Sequence, residues 1–179
     1  LIQIREGLVE IQNRNFRKRL NVVDESELGE LAQAVNKAIE SMADLSLGTS
    51  VQAALLPPAV MRGPAYEIHS EVRYMTSMGG DFCDYYEFDD RLHIAFGDVA
   101  GHGIPAALIM AMVKAFLPEN RLPPGKFLEN CNEVFLYLLK RKWRRMMTLA
   151  SLQVCLKTGK AQLANAGHCY PILIDSEKK

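Results

Sequence analysis

The stretch MGGDFCDYYEFDDRLHIAFGDVAGHGIPAA, residues 78–107, decides the fold. Leu92, Ile94 and Phe96 alternate with His93, Ala95 and Gly97. This alternation predicts a half-buried strand that ends at Asp98. The preceding run, residues 81–88, predicts a partner strand, and Asp89-Asp90 between them predicts the turn of a hairpin. We therefore expect an antiparallel pair of strands at the centre of the domain.

An aspartate lies at the end of each of these two strands, and glycines flank both. Asp81 follows Gly79-Gly80, and Asp98 precedes Gly101-His102-Gly103. Glycine permits backbone angles that other residues resist, and Pro105 suits the first turn of a helix, so the second corner predicts a turn directly into a helix. Two adjacent carboxylates are ligands of the kind that Mg²⁺ and Mn²⁺ prefer. Aspartate beside glycine is also ordinary turn chemistry, and both readings stay open at this point.

Four short blocks stand in a fixed order along the chain: VQAALLPP at 51–58, GGDFCD at 79–84, GDVAGHGIPAA at 97–107 and ANAGH at 164–168. Together they resemble the SpoIIE-like (RsbU-like) serine phosphatases. These are the bacterial branch of the PPM, or type 2C, metal-dependent protein phosphatases. Four ordered blocks make the resemblance specific, whereas either central block alone would be only suggestive.

The order of the predicted elements fits an α+β fold with sheets packed face to face and helices outside. The resemblance implies the αββα sandwich of the phosphatases. In that family a further metal-binding aspartate lies in a TDG-like corner beyond the fourth block, and the sequence reaches Lys179 without it. We therefore expect the N-terminal two-thirds of a phosphatase domain, and the activity of this stretch alone stays open.

The resemblance also implies a mechanism, hydrolysis of a phosphoserine or phosphothreonine ester with two Mn²⁺ or Mg²⁺ ions activating a shared water. Asp81 and Asp98 would be the metal ligands, with the backbone carbonyl of Val99 as a further oxygen. Asp84 either orients a metal-bound water or makes a hydrogen bond within the hairpin. His102 could protonate the leaving oxygen, although it lies further from Asp98 than in the wider type 2C family.

The substrate that the family implies is a small signalling protein, typically an anti-anti-sigma factor of the STAS type. Gly167-His168 either lines the site or is a structural histidine at a strand end. Two alternatives remain, a non-catalytic dimeric binding module and a diguanylate cyclase. The cyclase would need a second carboxylate directly after Asp81, where this chain has Phe82.

The N-terminal region contains an apolar seam with a heptad period, formed by Leu28, Leu31, Val35, Ala38, Met42 and Leu45. A single helix cannot bury such a seam, so a parallel bundle and a homodimer are favoured over a helix lying on its own domain. The helix is expected to start at Asp24 with Glu27 in a capping box. Residues 24–31 with Val35-Asn36 resemble the second half of a HAMP domain.

These patterns divide the chain into three parts. Residues 1–47 form the HAMP-like and coiled-coil segment, residues 48–63 a linker or switch helix, and residues 64–179 the phosphatase-like domain. HAMP modules lie just inside the membrane in sensor proteins, and the chain begins at Leu1 rather than Met. We therefore expect a cytoplasmic piece of a membrane-anchored parent.

Composition excludes other classes of protein. The formal net charge is zero, which gives no global attraction to nucleic acid or to an anionic membrane. No apolar run is long enough to span a bilayer, so we expect no membrane contact by this stretch itself. The four cysteines show no CxxC pairing and read as reduced thiols rather than a disulfide frame or zinc site.

Overall fold

The computed structural model describes residues 2–21, 26–117, 121–138 and 146–175, with side chains from Ile4 onward. The chain divides into two compact units, Leu1–Val51 and Gln52–Lys179. The division falls within residues 48–63, the stretch predicted to be a linker.

The first unit contains α1 (Ile2–Gln12) and most of α2 (Glu27–Leu55). Its small core is formed by one stripe of α2 packed with α1 and the connector, with buried residues Leu20, Ala32, Val35 and Ile39. The side chain of Asn36 accepts a hydrogen bond from Leu20 N at 2.8 Å and donates one to Leu20 O at 2.9 Å. This pair of bonds ties the connector to α2.

Helix α2 runs further than the heptad seam predicts. The predicted cap, Asp24, lies outside the described residues, and the helix begins at Glu27 with Ser26 Oγ accepting a hydrogen bond from Gly29 N at 3.4 Å. The heptad seam stops at residues 48–50, but the helix continues through them. Thr49 is accommodated because its hydroxyl donates to the carbonyl four residues earlier, at 3.0 Å.

The second unit contains a two-stranded sheet and a four-stranded antiparallel sheet of order β3-β4-β5-β6. Its elements in chain order are β1 (Val60–Gly63), β2 (Tyr66–His69), β3 (Phe82–Phe88), β4 (Arg91–Val99), α3 (Ile104–Phe116), α4 (Pro124–Leu138), β5 (Met147–Cys155) and β6 (Ala161–Ala166). Asp89 and Asp90 both have positive φ, 45° and 58°, the conformation of a two-residue hairpin turn. The predicted β3–β4 hairpin is therefore confirmed.

The core of this unit lies between one face of the four-stranded sheet and the two helices. It is formed by side chains of β3, β4, β5, α3 and α4, among them Phe82, Val99, Met110, Phe127 and Leu149. The opposite face of the sheet, which carries Phe96 and Thr148, is only partly buried by the described residues. Part of a two-layer α+β arrangement is thus in place, with one sheet face left open.

His93 is a fully buried polar group within this core. Its Nδ1 lies 2.8 Å from the Tyr86 hydroxyl, and its Nε2 lies 2.6 Å from Ser151 Oγ. Burial lowers the pKa of His93 to about 4. Because both ring nitrogens are paired without a carboxylate partner, the imidazole is neutral at physiological pH.

Three local predictions need correction. Alternation of apolar and polar residues from Glu67 to Tyr74 predicts a strand there, but β2 ends at His69, since its partner β1 is only four residues long. The apolar residues at 171–174 predict an extended strand, but no strand is assigned there. Residues 104–117 are apolar all round and predict a buried helix, yet Leu108 of α3 is 60% exposed. Within the described residues, no helix is both long and apolar enough to cross a membrane.

The four cysteines are free thiols, as predicted. Cys131 is buried in the core of the second unit, whereas Cys169 is exposed. All four lie in apolar stretches of the sequence, which predicts thiols in the core, and this prediction is wrong for Cys169.

Candidate active site

The two predicted metal ligands, Asp81 and Asp98, lie next to each other. Phe82 pairs with Gly97 in the β3–β4 register, so the next opposed positions are those of the two aspartates. Both side chains are exposed, on the face of the sheet away from α3 and α4. Partial burial raises the pKa of Asp81, and the negative charge of Asp98 and a hydrogen bond with it raise that pKa further. We call these two residues the carboxylate pair.

Glycine at position 80 is required for the close approach of the two strand ends. A Cβ on Gly80 would lie 2.5 Å from the carbonyl oxygen of Val99, well inside van der Waals contact. The backbone of Gly80, adjacent to Asp81, therefore packs directly on the residue that follows Asp98. This contact places the Val99 carbonyl, the predicted backbone ligand, beside the loop that carries Asp81.

The loop carrying His102 is attached to the same corner. Gly79 and His102 form an isolated antiparallel bridge, and Gly103 N donates to Met78 O at 3.1 Å. Gly101 and Gly103 have φ of 103° and 72°, which side chains resist, so the turn from Asp98 into α3 depends on glycine there. His102 is exposed and is held near the carboxylate pair by its backbone.

A residue that sequence analysis did not single out supports this corner from the last turn of α2. Gln52 is only 3% exposed, its Nε2 donates to Gly79 O at 2.6 Å, and its Oε1 accepts from Gly79 N at 3.3 Å. Its side chain thus replaces both strand-type hydrogen bonds of Gly79. The sequence offers no signal for this role beyond the position of Gln52 within the first of the four blocks.

Thr148 and His168 form a second group beside the carboxylate pair. Thr148 lies opposite Asp98 in the β4–β5 register, and its Oγ1 is 2.8 Å from His168 Nδ1. The charged form of His168 acts to lower the pKa of Asp81, against the larger effects of burial and Asp98. The structure therefore brings His168 into electrostatic range of the pair. Thr148 has no sequence signal, being an ordinary strand residue.

The side chain of Asp84 does not lie beside the carboxylate pair. Asp84 lies an odd number of residues from Asp81 along β3, so its side chain points to the opposite face of the sheet. There Asp84 Oδ2 lies 2.8 Å from Lys114 Nζ of α3, and the two side chains are only 18% and 6% exposed. Of the two roles that the sequence left open, the surroundings of Asp84 favour a structural one.

The carboxylate pair fits a hard divalent cation by its chemistry. Its donors are all oxygens, and neither aspartate forms an ion pair with lysine or arginine within the described residues. Mg²⁺ and Mn²⁺ are typically held by one or two carboxylates with several waters. The described part of the chain contains no cluster of three or more His, Cys, Asp or Glu residues suited to a metal. The pair thus supplies two carboxylates, and an ion bound there would take its remaining ligands from other oxygens such as water.

The fold is that of a PP2C-type phosphatase domain. The SiaA-PP2C domain of Pseudomonas aeruginosa superimposes with a TM-score of 0.56 at 22% sequence identity, covering 72% of this chain and 55% of that one. A structure of the RsbU and RsbW domains of Rv1364c from Mycobacterium tuberculosis gives a TM-score of 0.45 at 27% identity, covering 52% of this chain and 27% of that one. The α+β phosphatase core predicted from sequence is confirmed by the first of these likenesses.

The sequence comparisons then give the family. The model of the family described as Stage II sporulation protein E (SpoIIE) matches residues 89–179, half of the chain, and the chain belongs to that family. Phosphoserine phosphatase RsbU of Bacillus subtilis (strain 168) is 34% identical over 98 residues, which are 53% of this chain. The chain spans only 29% of the length of RsbU.

Proposed function

We propose that the protein containing this chain is a divalent-cation-dependent phosphatase that hydrolyses phosphoserine or phosphothreonine on a regulatory protein. The observation that carries this proposal is the carboxylate pair, Asp81 and Asp98, side by side without a lysine or arginine partner in the described residues. Membership in the SpoIIE family and the likeness to the phosphoserine phosphatase RsbU support it.

In this proposal Asp81 and Asp98 hold two Mn²⁺ or Mg²⁺ ions, with the Val99 carbonyl as a further ligand. When bound, such ions lower the pKa of water and neutralise charge on the phosphoryl group. The role of the chain is to hold the ligands together: Gly80 permits the close approach of the strand ends, and the Gly79–His102 bridge fixes the two loops. His102 is proposed to donate a proton to the leaving serine oxygen, since its loop lies beside the pair.

The catalytic proposal is tested on the natural full-length protein with a phosphoserine peptide, in the presence of Mn²⁺, Mg²⁺ or EDTA. We expect phosphate release that requires the divalent ion and that falls by at least about a hundredfold in Asp98→Asn, the loss of one strong electrostatic group. Asp44→Asn, at an exposed position of α2, is the matched control and should retain activity. Activity that persists in EDTA or in Asp98→Asn would indicate that this site is not catalytic.

The proposed substrate is a phosphorylated regulatory protein of the STAS type, and nucleic acid is not among the proposed partners. The resemblance of the four sequence blocks supports this choice, together with the likeness to RsbU, a phosphoserine phosphatase. A direct test compares phosphoserine, phosphothreonine and phosphotyrosine versions of one peptide. Preferential release from phosphotyrosine would contradict the proposed substrate class.

We also propose that α2 belongs to a HAMP-like relay that forms a homodimer and regulates the site from the membrane side of an anchored parent. The predicted seam supports dimerisation, because Leu28, Leu31, Met42 and Leu45 remain 38–49% exposed on α2. Sedimentation of the chain should give a dimer that Leu31→Glu/Met42→Glu dissociates. Lys37→Glu, a charge change on an exposed polar position of the same helix, should leave the dimer intact.

Regulation through α2 is supported by Gln52, whose side chain holds Gly79 in the corner of the site. Gln52→Ala leaves the backbone groups of Gly79 without these partners, at a cost of about 1–3 kcal/mol. We expect the Mn²⁺ concentration for half-maximal activity to rise about tenfold, since 1.4 kcal/mol corresponds to a factor of ten. Gln33→Ala, at an exposed position of α2, is the control. Equal behaviour of the two variants would count against a regulatory role for this contact.

A further inference from the structure

His168 lies just after β6, and both of its backbone groups are hydrogen-bonded. The side chain of Asn165 accepts a hydrogen bond from His168 N at 2.8 Å and donates one to His168 O at 2.9 Å. Gly167 between them has φ of 73°, which makes the tight turn possible. These bonds fix the backbone of His168, and the contacts of its ring with Phe96 and Thr148 set the direction of the side chain.

The ring of His168 lies on the open face of the sheet, the face that carries Asp98. It makes an edge contact with Phe96, with ring centres 5.3 Å apart and an interplanar angle of 71°. Thr148 Oγ1 lies 2.8 Å from its Nδ1. Phe96 is two residues before Asp98 on β4 and Thr148 is opposite Asp98 on β5, so the ring rests directly beside the carboxylate pair.

Thr148 also determines which ring nitrogen carries the proton. Its hydroxyl has one hydrogen and two candidate acceptors, His168 Nδ1 at 2.8 Å and the Asp98 carbonyl oxygen at 3.5 Å. We assign the hydroxyl hydrogen to the shorter bond, so that Nδ1 is the acceptor. The neutral imidazole then carries its hydrogen on Nε2. Within the described residues, Nε2 has no hydrogen-bond partner of its own, so it is a donor available to a ligand.

The two carboxylates and the Val99 carbonyl are acceptors, and His102 on the neighbouring loop is assigned to the leaving oxygen. A phosphoryl group that binds there presents several oxygens, all of which need donors or cations. We propose that His168 contacts the substrate, its Nε2–H donating a hydrogen bond to an oxygen of the phosphoryl group held beside Asp81 and Asp98. This inference rests on the proposed phosphatase function and adds to it a residue that binds the reacting group.

The tautomer is tested directly, without any activity, by long-range ¹H–¹⁵N correlation spectra of the histidines in this chain. We expect the Nε2–H tautomer for His168 in the wild type and in Thr148→Ser, which keeps the hydroxyl. Thr148→Val removes the hydroxyl at similar volume and should give a mixture of tautomers. A wild-type His168 that carries its hydrogen on Nδ1 would overturn the proposed donor.

The contact with phosphate is tested in the full-length protein with Mn²⁺, a phosphoserine peptide as substrate and inorganic phosphate as competitive inhibitor. A hydrogen bond to a charged group is worth about 1.5–3 kcal/mol, or roughly 10- to 100-fold in binding. His168→Leu should therefore raise both KM and the inhibition constant of inorganic phosphate at least about tenfold. His168→Gln, which keeps an N–H donor, should recover part of that loss, and His69→Gln, at an exposed position of β2, should remain close to the wild type.

The outcomes separate this inference from the function on which it rests. If the wild type is an Mn²⁺-dependent phosphatase but His168→Leu leaves the inhibition constant of phosphate within twofold, His168 is a structural residue and the inference is wrong while the function stands. A lower melting temperature with an unchanged constant leads to the same conclusion. If the wild type releases no phosphate from the peptide, the proposed function fails and this inference fails with it.

Discussion

Asp81 and Asp98 face the same side of the sheet at the ends of β3 and β4, close enough for a hydrogen bond between them to raise the pKa of Asp81. Burial contributes the largest part of this shift and the charge of Asp98 the next. Two like charges at such a distance destabilise each other unless a cation lies between them. The corner is therefore folded at some cost in the absence of a divalent ion.

Asp98→Asn should have opposite effects with and without metal. In EDTA the variant should be slightly more stable than the wild type, by about 0.5 kcal/mol, because both carboxylates are exposed and their repulsion is screened by solvent. With Mn²⁺ at a hundred times its dissociation constant, the wild type should gain about 2.7 kcal/mol and the variant less than half of that. Thermal unfolding in the two buffers measures both effects.

Asp44→Asn serves as the control for this comparison, since it removes one exposed carboxylate of the first unit. It should leave the stabilisation by Mn²⁺ unchanged. An equal gain from Mn²⁺ in the wild type and in Asp98→Asn would mean that the metal binds elsewhere.

Gly80→Ala should disrupt the corner. Its Cβ would lie 2.5 Å from the Val99 carbonyl oxygen, so the backbone must move. We expect a loss of about 1–3 kcal/mol in the free energy of unfolding, as for other overpacked sites, together with weaker Mn²⁺ binding. Urea denaturation and calorimetric titration of Mn²⁺ measure the two quantities.

Gly125→Ala is the matched substitution in α4, where a Cβ would meet no atom within 4 Å. Alanine is the better helix former, so this variant should be as stable as the wild type or up to about 1 kcal/mol more stable. If the two glycine variants lose the same stability, the contact between Gly80 and Val99 is not what restricts position 80.

Lys114 and Asp84 form an ion pair buried between α3 and the sheet, at 2.8 Å. Lys114→Met should cost about 3–5 kcal/mol, because it leaves a carboxylate unpaired in the interior. The double variant Asp84→Asn/Lys114→Met should regain much of that loss, which a double-mutant cycle in urea measures. Mn²⁺ affinity of the double variant should equal that of the wild type, since Asp84 faces away from the carboxylate pair. A loss of affinity would restore Asp84 as a metal-associated residue.

Much of the site could be predicted because its signals are local. The β3–β4 hairpin follows from alternation on both sides of Asp89-Asp90, and two glycine-flanked aspartates at its open end could only come together once the strands paired. The sequence also predicts which face of the sheet carries the side chain of Asp84. Residues three apart on a strand point to opposite sides, so Asp81 and Asp84 are expected on opposite faces of the sheet.

The residues that were missed, or whose role was left open, depend on contacts between distant parts of the chain. His168 approaches the pair only because β6 lies beside β5 and β5 beside β4, an order that no local pattern determines. The sequence does not distinguish Gln52 from other polar residues on a helix, because its role depends on the contact with Gly79. The early end of β2 has a similar origin, because the length of a strand depends on its partner, and β1 ends after four residues.

His93 should make the stability of the second unit depend on pH. Its folded pKa of about 4 lies below the ordinary value of 6.5, so the unfolded chain binds more protons between these values. The stabilisation is therefore fully present above pH 6.5 and is lost as the pH falls toward 4, with a loss of about 2 kcal/mol at pH 5.

His93→Leu should be less stable at neutral pH, because Tyr86 and Ser151 lose their partner, but should lack this part of the pH dependence. His69→Gln, an exposed histidine, should retain it, and urea titrations at pH 7.5 and 5 would show the difference. Equal loss between these pH values in the wild type and His93→Leu would mean that other groups control the acid sensitivity.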